Sequence, residues 1–444
     1  MKNTLVAAGI WAALLSTAFA PAAQAQGSNE LQVLKAQLEE LQKRVAELEA
    51  QQKAQAETSE KTVDQTAQLR SQVGDWVGRF QWKGDLRYRN ETIDQEFVDS
   101  DRNRDRIRAR FGFLARANDT VRVEMQVATD EALTSGGNGD ARSSNVTLSD
   151  ANSRKRLDLD TAYVEWQPNA MNRLTLGKMR YPWQRPTGAL YWDNDVNPEG
   201  VAYNWQQGSN GVFAGLWYTR LAERSTRADS NMVGAQIGWR GDVASGTRLT
   251  LAALYNDHTA VKGYNAVQDA ALPANAFGNS TSTSTEICRP GITTCIASDF
   301  DIAEAFAEIA FTVGGRPLSF MVDYAQNIGE DVVGAGAGLD TAYGAGVQYG
   351  RVSTLHSWEL GILYQKVENN ALYGQWVDSD FGGGLTGTDG FVLKAGYGFG
   401  RNFRLNATYF LNHQNIDIPT TIPGVGPVTD RGYRRLQLDL NASF

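Results

Sequence analysis

From residue 79 to the end, apolar and polar positions alternate with a period of two, the pattern of strands that bury one face in an apolar medium and turn the other to water. Phe80, Trp82, Gly84, Leu86 and Tyr88 alternate with Gln81, Lys83, Asp85, Arg87 and Arg89. The next run sets Ile107, Ala109, Phe111 and Phe113 against Arg106, Arg108 and Arg110, and the one after sets Val121, Val123 and Met125 against Arg122 and Glu124. Sixteen such runs begin near residues 80, 105, 120, 157, 173, 200, 211, 231, 247, 300, 317, 340, 356, 389, 402 and 433.

The links between runs are of two kinds. Those after odd-numbered runs are long or polar, such as 131–156, 181–199, 257–299 and 366–388, whereas those after even-numbered runs are tight, such as Asn118-Asp119, Gly314-Gly315 and Gly400-Arg401. Loops on one side and turns on the other predict an all-β fold, a 16-stranded antiparallel transmembrane β-barrel over 79–444. A soluble sandwich has no reason to sort its connections this way. Cost decides which face meets lipid. Turned outward, Arg106, Arg108 and Arg110 would cost about 2 to 4 kcal/mol each near the bilayer midplane. The apolar set therefore faces out, with Trp82, Trp166, Trp217, Trp239 and Trp358 expected on the lipid side, and the arginines face in.

Before residue 79 the period differs. Leu31, Leu34, Leu38, Leu41, Val45 and Leu48 are spaced 3, 4, 3, 4 and 3 residues apart, the a/d pattern of a coiled coil over 26–55. About three heptads are marginal alone, so the helix is expected to associate where something else already holds copies together; a lone helix lying on another surface is the alternative. Residues 56–78 form a polar spacer, and 1–25 a signal peptide with a short positive start, an apolar stretch and Ala23-Gln24-Ala25 at the cut.

Composition narrows the function. In 444 residues with mean hydropathy -0.38, no apolar run after residue 25 is long enough for a spanning helix, and a net charge of -8 argues against nucleic acid as a partner. Export puts the only two cysteines, Cys288 and Cys295, in an oxidising compartment where they pair. With His258, His356 and His413 as the only histidines, neither a metal nor another cofactor is expected.

The last residues carry the most specific signal. Leu436, Leu438, Leu440, Ala442 and Phe444 alternate with Gln437, Asp439, Asn441 and Ser443 and finish on a terminal Phe. This strand resembles the one that the outer-membrane assembly machinery recognises in Gram-negative porins. The layout of 79–444 is similar to the general 16-stranded porins, and the N-terminal helix to the putative porin family whose members carry a coiled coil. The resemblance implies a place in the outer membrane in contact with its lipid, recognition of Phe444 by the barrel-assembly machinery, a homotrimer, and a helix in the periplasm that bundles or reaches peptidoglycan.

A barrel of this size leaves an aqueous lumen. The registers turn more cations than acids inward, with Arg87, Arg106, Arg108, Arg110 and Arg122 as the basic lining. By resemblance of position to the third long loop of general porins, the 181–199 link is the candidate constriction, carrying Arg185, Asp193, Asp195 and Glu199 opposite the arginine rows; the alternative is a cap outside the barrel. The 257–299 loop is expected at the surface. The reading is a channel for passive diffusion of small hydrophilic solutes, and more sharply one that prefers anions or phosphate. A barrel enzyme lacks a partner motif for its histidines, and a tether with a barrel anchor is the remaining class.

Overall fold

The computed structural model describes residues 35–54, 78–131, 139–149, 151–266 and 276–444. The expected signal peptide over 1–25, Leu31, Leu34 and the expected spacer up to residue 77 lie outside them. Two compact units divide between Val77 and Gly78. In the first, residues 35–54 are helical, and Leu38, Leu41, Val45 and Leu48 stand 50–62% exposed, an apolar stripe that nothing among the described residues covers.

The second unit is a closed barrel of sixteen antiparallel strands. In chain order they are β1 (Phe80–Gln95), β2 (Arg102–Arg116), β3 (Val121–Asp130), β4 (Arg156–Trp166), β5 (Asn172–Lys178), β6 (Glu199–Gln206), β7 (Gly211–Ala222) and β8 (Ser230–Ala244). They continue as β9 (Thr247–Thr259), β10 (Phe300–Val313), β11 (Arg316–Asn327), β12 (Thr341–Gly350), β13 (Trp358–Val367), β14 (Thr388–Gly400), β15 (Phe403–Gln414) and β16 (Arg431–Ser443). Each pairs with the next, and β16 returns to β1 in a register that runs from Asp85 opposite Ser443 to Gln95 opposite Tyr433. The terminal residue finishes the seam: Phe444 and Gly84 exchange both backbone hydrogen bonds, at 3.0 and 3.1 Å. With closure, no edge is left for lipid to face.

The two faces separate as the alternation requires. On β16, Leu436, Leu438 and Leu440 are 38–40% exposed on the outside, while Arg435, Gln437 and Asp439 between them are 2–6% exposed. Trp82 and Trp166 stand on the outer face, as does Trp239. Trp217 does not. On β7 the outward positions are Leu216 and Tyr218, so Trp217 points in, where its indole donates to Asn256 Oδ1 at 2.9 Å and its ring packs 4.9 Å from Trp183. The strand is apolar on both faces, because what it meets inside is another apolar segment and not water.

Candidate functional site: the barrel interior

Three segments between strands bury apolar side chains inside the wall. Met179, Trp183, Tyr191, Trp192 and Val196 come from the β5–β6 segment; Ala276 and Ile296 come from the β9–β10 segment; Ala371, Leu372, Tyr373, Trp376 and Val377 come from the β13–β14 segment. They pack into one cluster with inward residues of the wall, including Met232, Leu254, Phe300, Ile302, Ala325 and Val367. The β9–β10 segment is thus not simply a surface loop. Asn279 donates to the backbone carbonyls of Asn369 and Leu372 at 2.7 and 2.9 Å, tying it to the β13–β14 segment. Cys288 and Cys295 are bonded, beside a two-residue ladder of Thr281–Ser282 with Cys295–Ile296.

The β5–β6 segment is fastened to the wall at several points. Trp192 Nε1 donates to Glu304 at 2.9 Å, Tyr191 Oη to the Asp323 carbonyl at 2.9 Å, and the Thr187 amide and hydroxyl to Glu308 at 2.7 and 2.9 Å. Gln184 and Gln236 exchange two hydrogen bonds, and the Asp193 amide reaches the Trp376 carbonyl at 2.9 Å. Two inward segments therefore meet each other as well as the wall.

Opposite them lies the basic row. Arg87 and Arg89 on β1, Arg104, Arg106, Arg108 and Arg110 on β2 and Arg435 on β16 share one inner face because β1 pairs with both neighbours in unshifted register. Asp85 holds Arg108 and Arg110 at 2.8 and 2.7 Å. Asp439 holds Arg89 through two bonds, at 2.6 and 2.8 Å. Glu91, fully buried, takes Arg435 at 2.6 Å and also pairs with Arg104. Arg106 donates to the Asn145 carbonyl at 2.7 Å. The inward segments add two acids. Asp195 stands 3.7 Å from Arg110 and 3.9 Å from Arg108, and Asp380 lies 3.0 Å from Arg89 and 2.8 Å from Arg435. With Glu131, 3.4 Å from Arg106, seven guanidiniums thus face six carboxylates, an excess of positive charge.

The acids of the segments differ in their protonation. Burial works against the Asp195 carboxylate, but Arg108, Arg87 and Arg110 and the Ser144 amide hold it below its usual range. Asp380 is likewise buried and is held well below that range by Arg435 and Arg89. Asp193 and Asp378 stand away from the basic row, with Arg142 near both and Lys394 near Asp378, and for them burial prevails. Burial first, then the charge of Asp378 and Asp195, raises Asp193 far above a free carboxylate, and burial together with Asp380 pushes Asp378 up to about 6.

The other candidates scatter. Arg122 is 3.7 Å from Glu165, nearer the turn end of the lumen. Arg185 serves its own segment, donating to the Trp192 carbonyl and Asn194 Oδ1 at 2.8 Å each and stacking on Tyr181. Glu199 is not part of the constellation. It opens β6 on the face shared with Val201 and Tyr203 and pairs with Lys178 at 2.9 Å. Sequence reasoning missed Glu91, Arg104 and Asp380. The signal for Asp380 was the apolar content of Ala371-Leu372-Tyr373-Gly374-Gln375-Trp376-Val377, which is too great for a segment in water.

A protein family described as Putative porin matches residues 92–444. The chain belongs to that family. No curated protein matches the chain. Among solved structures, OprB of Pseudomonas putida aligns with 84% of this porin and 97% of its own chain, at 10% identity and a TM-score of 0.51, which shows a shared fold. OmpF of Salmonella typhi, solved as a complex with daunomycin, aligns with 82% of this porin and 97% of its own chain, at 11% identity and a TM-score of 0.47. This porin is an outer-membrane channel.

Proposed function

We propose that this porin conducts small hydrophilic solutes by passive diffusion with a preference for anions, and that the β5–β6 and β13–β14 segments narrow its path beside the basic row. The observation that carries the reading is the excess of guanidiniums over carboxylates on that row, of which two acids belong to the segments and not to the wall. In a narrow passage of low dielectric, such opposed charges set a transverse field that favours polar solutes and, with the positive excess, anions. The zero-current potential of the whole protein in a planar bilayer under a KCl gradient tests this. Chloride-directed potential is expected, and it falls toward zero when Arg106, Arg108 and Arg110 are replaced by Gln; a cation-directed potential in the unaltered protein rejects the preference.

The exposed stripe Leu38, Leu41, Val45 and Leu48 supports a homotrimer in which three such helices bundle in the periplasm, close to peptidoglycan. Phe444, at the barrel seam, is the feature on which the assembly machinery would act.

A further inference from the structure

One residue of the basic row stands apart in its hydrogen bonds. Arg89, Arg104, Arg106, Arg108, Arg110 and Arg435 each donate to a carboxylate or a backbone carbonyl. Arg87, in the middle of the row, makes no hydrogen bond among the described residues, and its Nε is buried without a partner. Its nearest acid is Asp439, 3.6 Å away, whose two oxygens are already taken by Arg89.

The register explains why. Arg87 stands opposite Arg108 on β2 and opposite Asn441 on β16, whereas Asp85 stands opposite Arg110 and Arg89 opposite Asp439. No acid therefore faces Arg87 across either seam. Its neighbours add to the deficit. Arg108 donates to Asp85 from Nε and Nη2, and Arg110 from Nε, which leaves the Nη1 groups of both without a hydrogen bond, 3.9 and 3.7 Å from Asp195. A largely buried guanidinium whose donors lack hydrogen-bond acceptors is costly, and the cost is removed by an acceptor that arrives from outside the protein.

We infer that Arg87, with the Nη1 groups of Arg108 and Arg110, is a binding site for the oxyanion group, carboxylate or phosphate, of a permeating solute. The planar fork of Arg87 matches two oxygens of one such group. Asp195 competes with the solute for the same donors, so the site holds an anion briefly and lets it go, as conduction requires. This site rests on the anion preference proposed above, and it goes further in naming the residue and the chemical group.

The test uses the whole protein in planar bilayers, with potassium acetate and then potassium phosphate as the probes. Conductance of the unaltered channel should saturate with either salt. In Arg87→Gln the half-saturating concentration should rise about tenfold or more, the effect of losing one charge-assisted pair of hydrogen bonds. Arg434→Gln, on the outer face, should leave saturation unchanged. Saturation with acetate but not phosphate would assign the site to carboxylates, and the converse to phosphates. Should Arg87→Gln fail to fold, Arg87→Lys keeps the charge and removes the fork, and weaker saturation with an unchanged sign of the zero-current potential is expected. A chloride-directed potential with saturation unmoved by either variant, or with no saturation in the unaltered channel, overturns the site and leaves the anion preference standing. A cation-directed potential in the unaltered channel overturns the preference itself.

Discussion

The ring of Phe444 lies where Gly84 would carry a side chain: a Cβ built on Gly84 falls 2.4 Å from Phe444 Cζ and 2.8 Å from the Arg110 carbonyl oxygen. The barrel seam is therefore closed by a residue pair in which one member must have no side chain. Gly84→Val is expected to unseat Phe444 and destabilise the barrel by about 1 to 3 kcal/mol, the usual cost of overpacking a filled space. Loss of heat resistance in electrophoretic mobility checks this, and a variant as resistant as the unaltered barrel would contradict it.

Asp380 bridges Arg89 and Arg435 from the β13–β14 segment. Asp380→Asn removes the charge that both guanidiniums face and should destabilise the segment by about 2 kcal/mol or more. It should also move the zero-current potential further toward chloride. An unchanged potential would mean that Asp380 does not border the conducting path.

The buried acids give opposite pH dependences. For Asp378 and Asp193 the folded pKa is raised, so their contribution to stability is complete below the ordinary value of 3.8 and is lost as pH rises through about 6 for Asp378 and through the raised value of Asp193. For Asp195 and Asp380 it is lowered, so their contribution is present above 3.8 and is lost as pH falls through their lower folded values. Resistance of the β5–β6 and β13–β14 segments to proteolysis should pass through a maximum in mildly acidic solution. In Asp378→Asn the decline on the alkaline side should shrink; an identical profile would place that titration elsewhere.

Most of the wall was legible in the sequence because lipid enforces a period of two on every strand it touches. The same constraint is silent about the interior. Trp217 was misplaced since both faces of β7 are apolar, which removes the contrast that fixes a register. Asp193 and Asp195 were named because the β5–β6 link resembles by position the third long loop of general porins, whereas no resemblance drew attention to the segment that carries Asp380. Glu199 was grouped with them by nearness in sequence, and one step along a strand turned it to the other face.

Reducing the bond between Cys288 and Cys295 opens a short loop, worth about 2 to 3 kcal/mol by chain entropy. Local protease cleavage should increase while conductance stays the same. A change in conductance would tie this loop to the path.

Deleting residues 26–75 separates the roles of helix and barrel. Channels should persist, with trimers less resistant to dissociation if the leucine stripe joins copies. Loss of envelope attachment with unchanged trimers would favour a tether.

The apolar cluster inside the wall sets an order of events in biogenesis. Trp192, Tyr373 and Leu372 are at most 1% exposed, and the cluster they belong to takes wall residues from every strand from β6 to β13, half the circumference. Until those strands stand side by side, these side chains have no place to go, and they remain a sticky surface for a chaperone to cover. The wall is thus the mould in which the interior sets, and damage to either seam should appear first as misplaced segments in an otherwise inserted barrel.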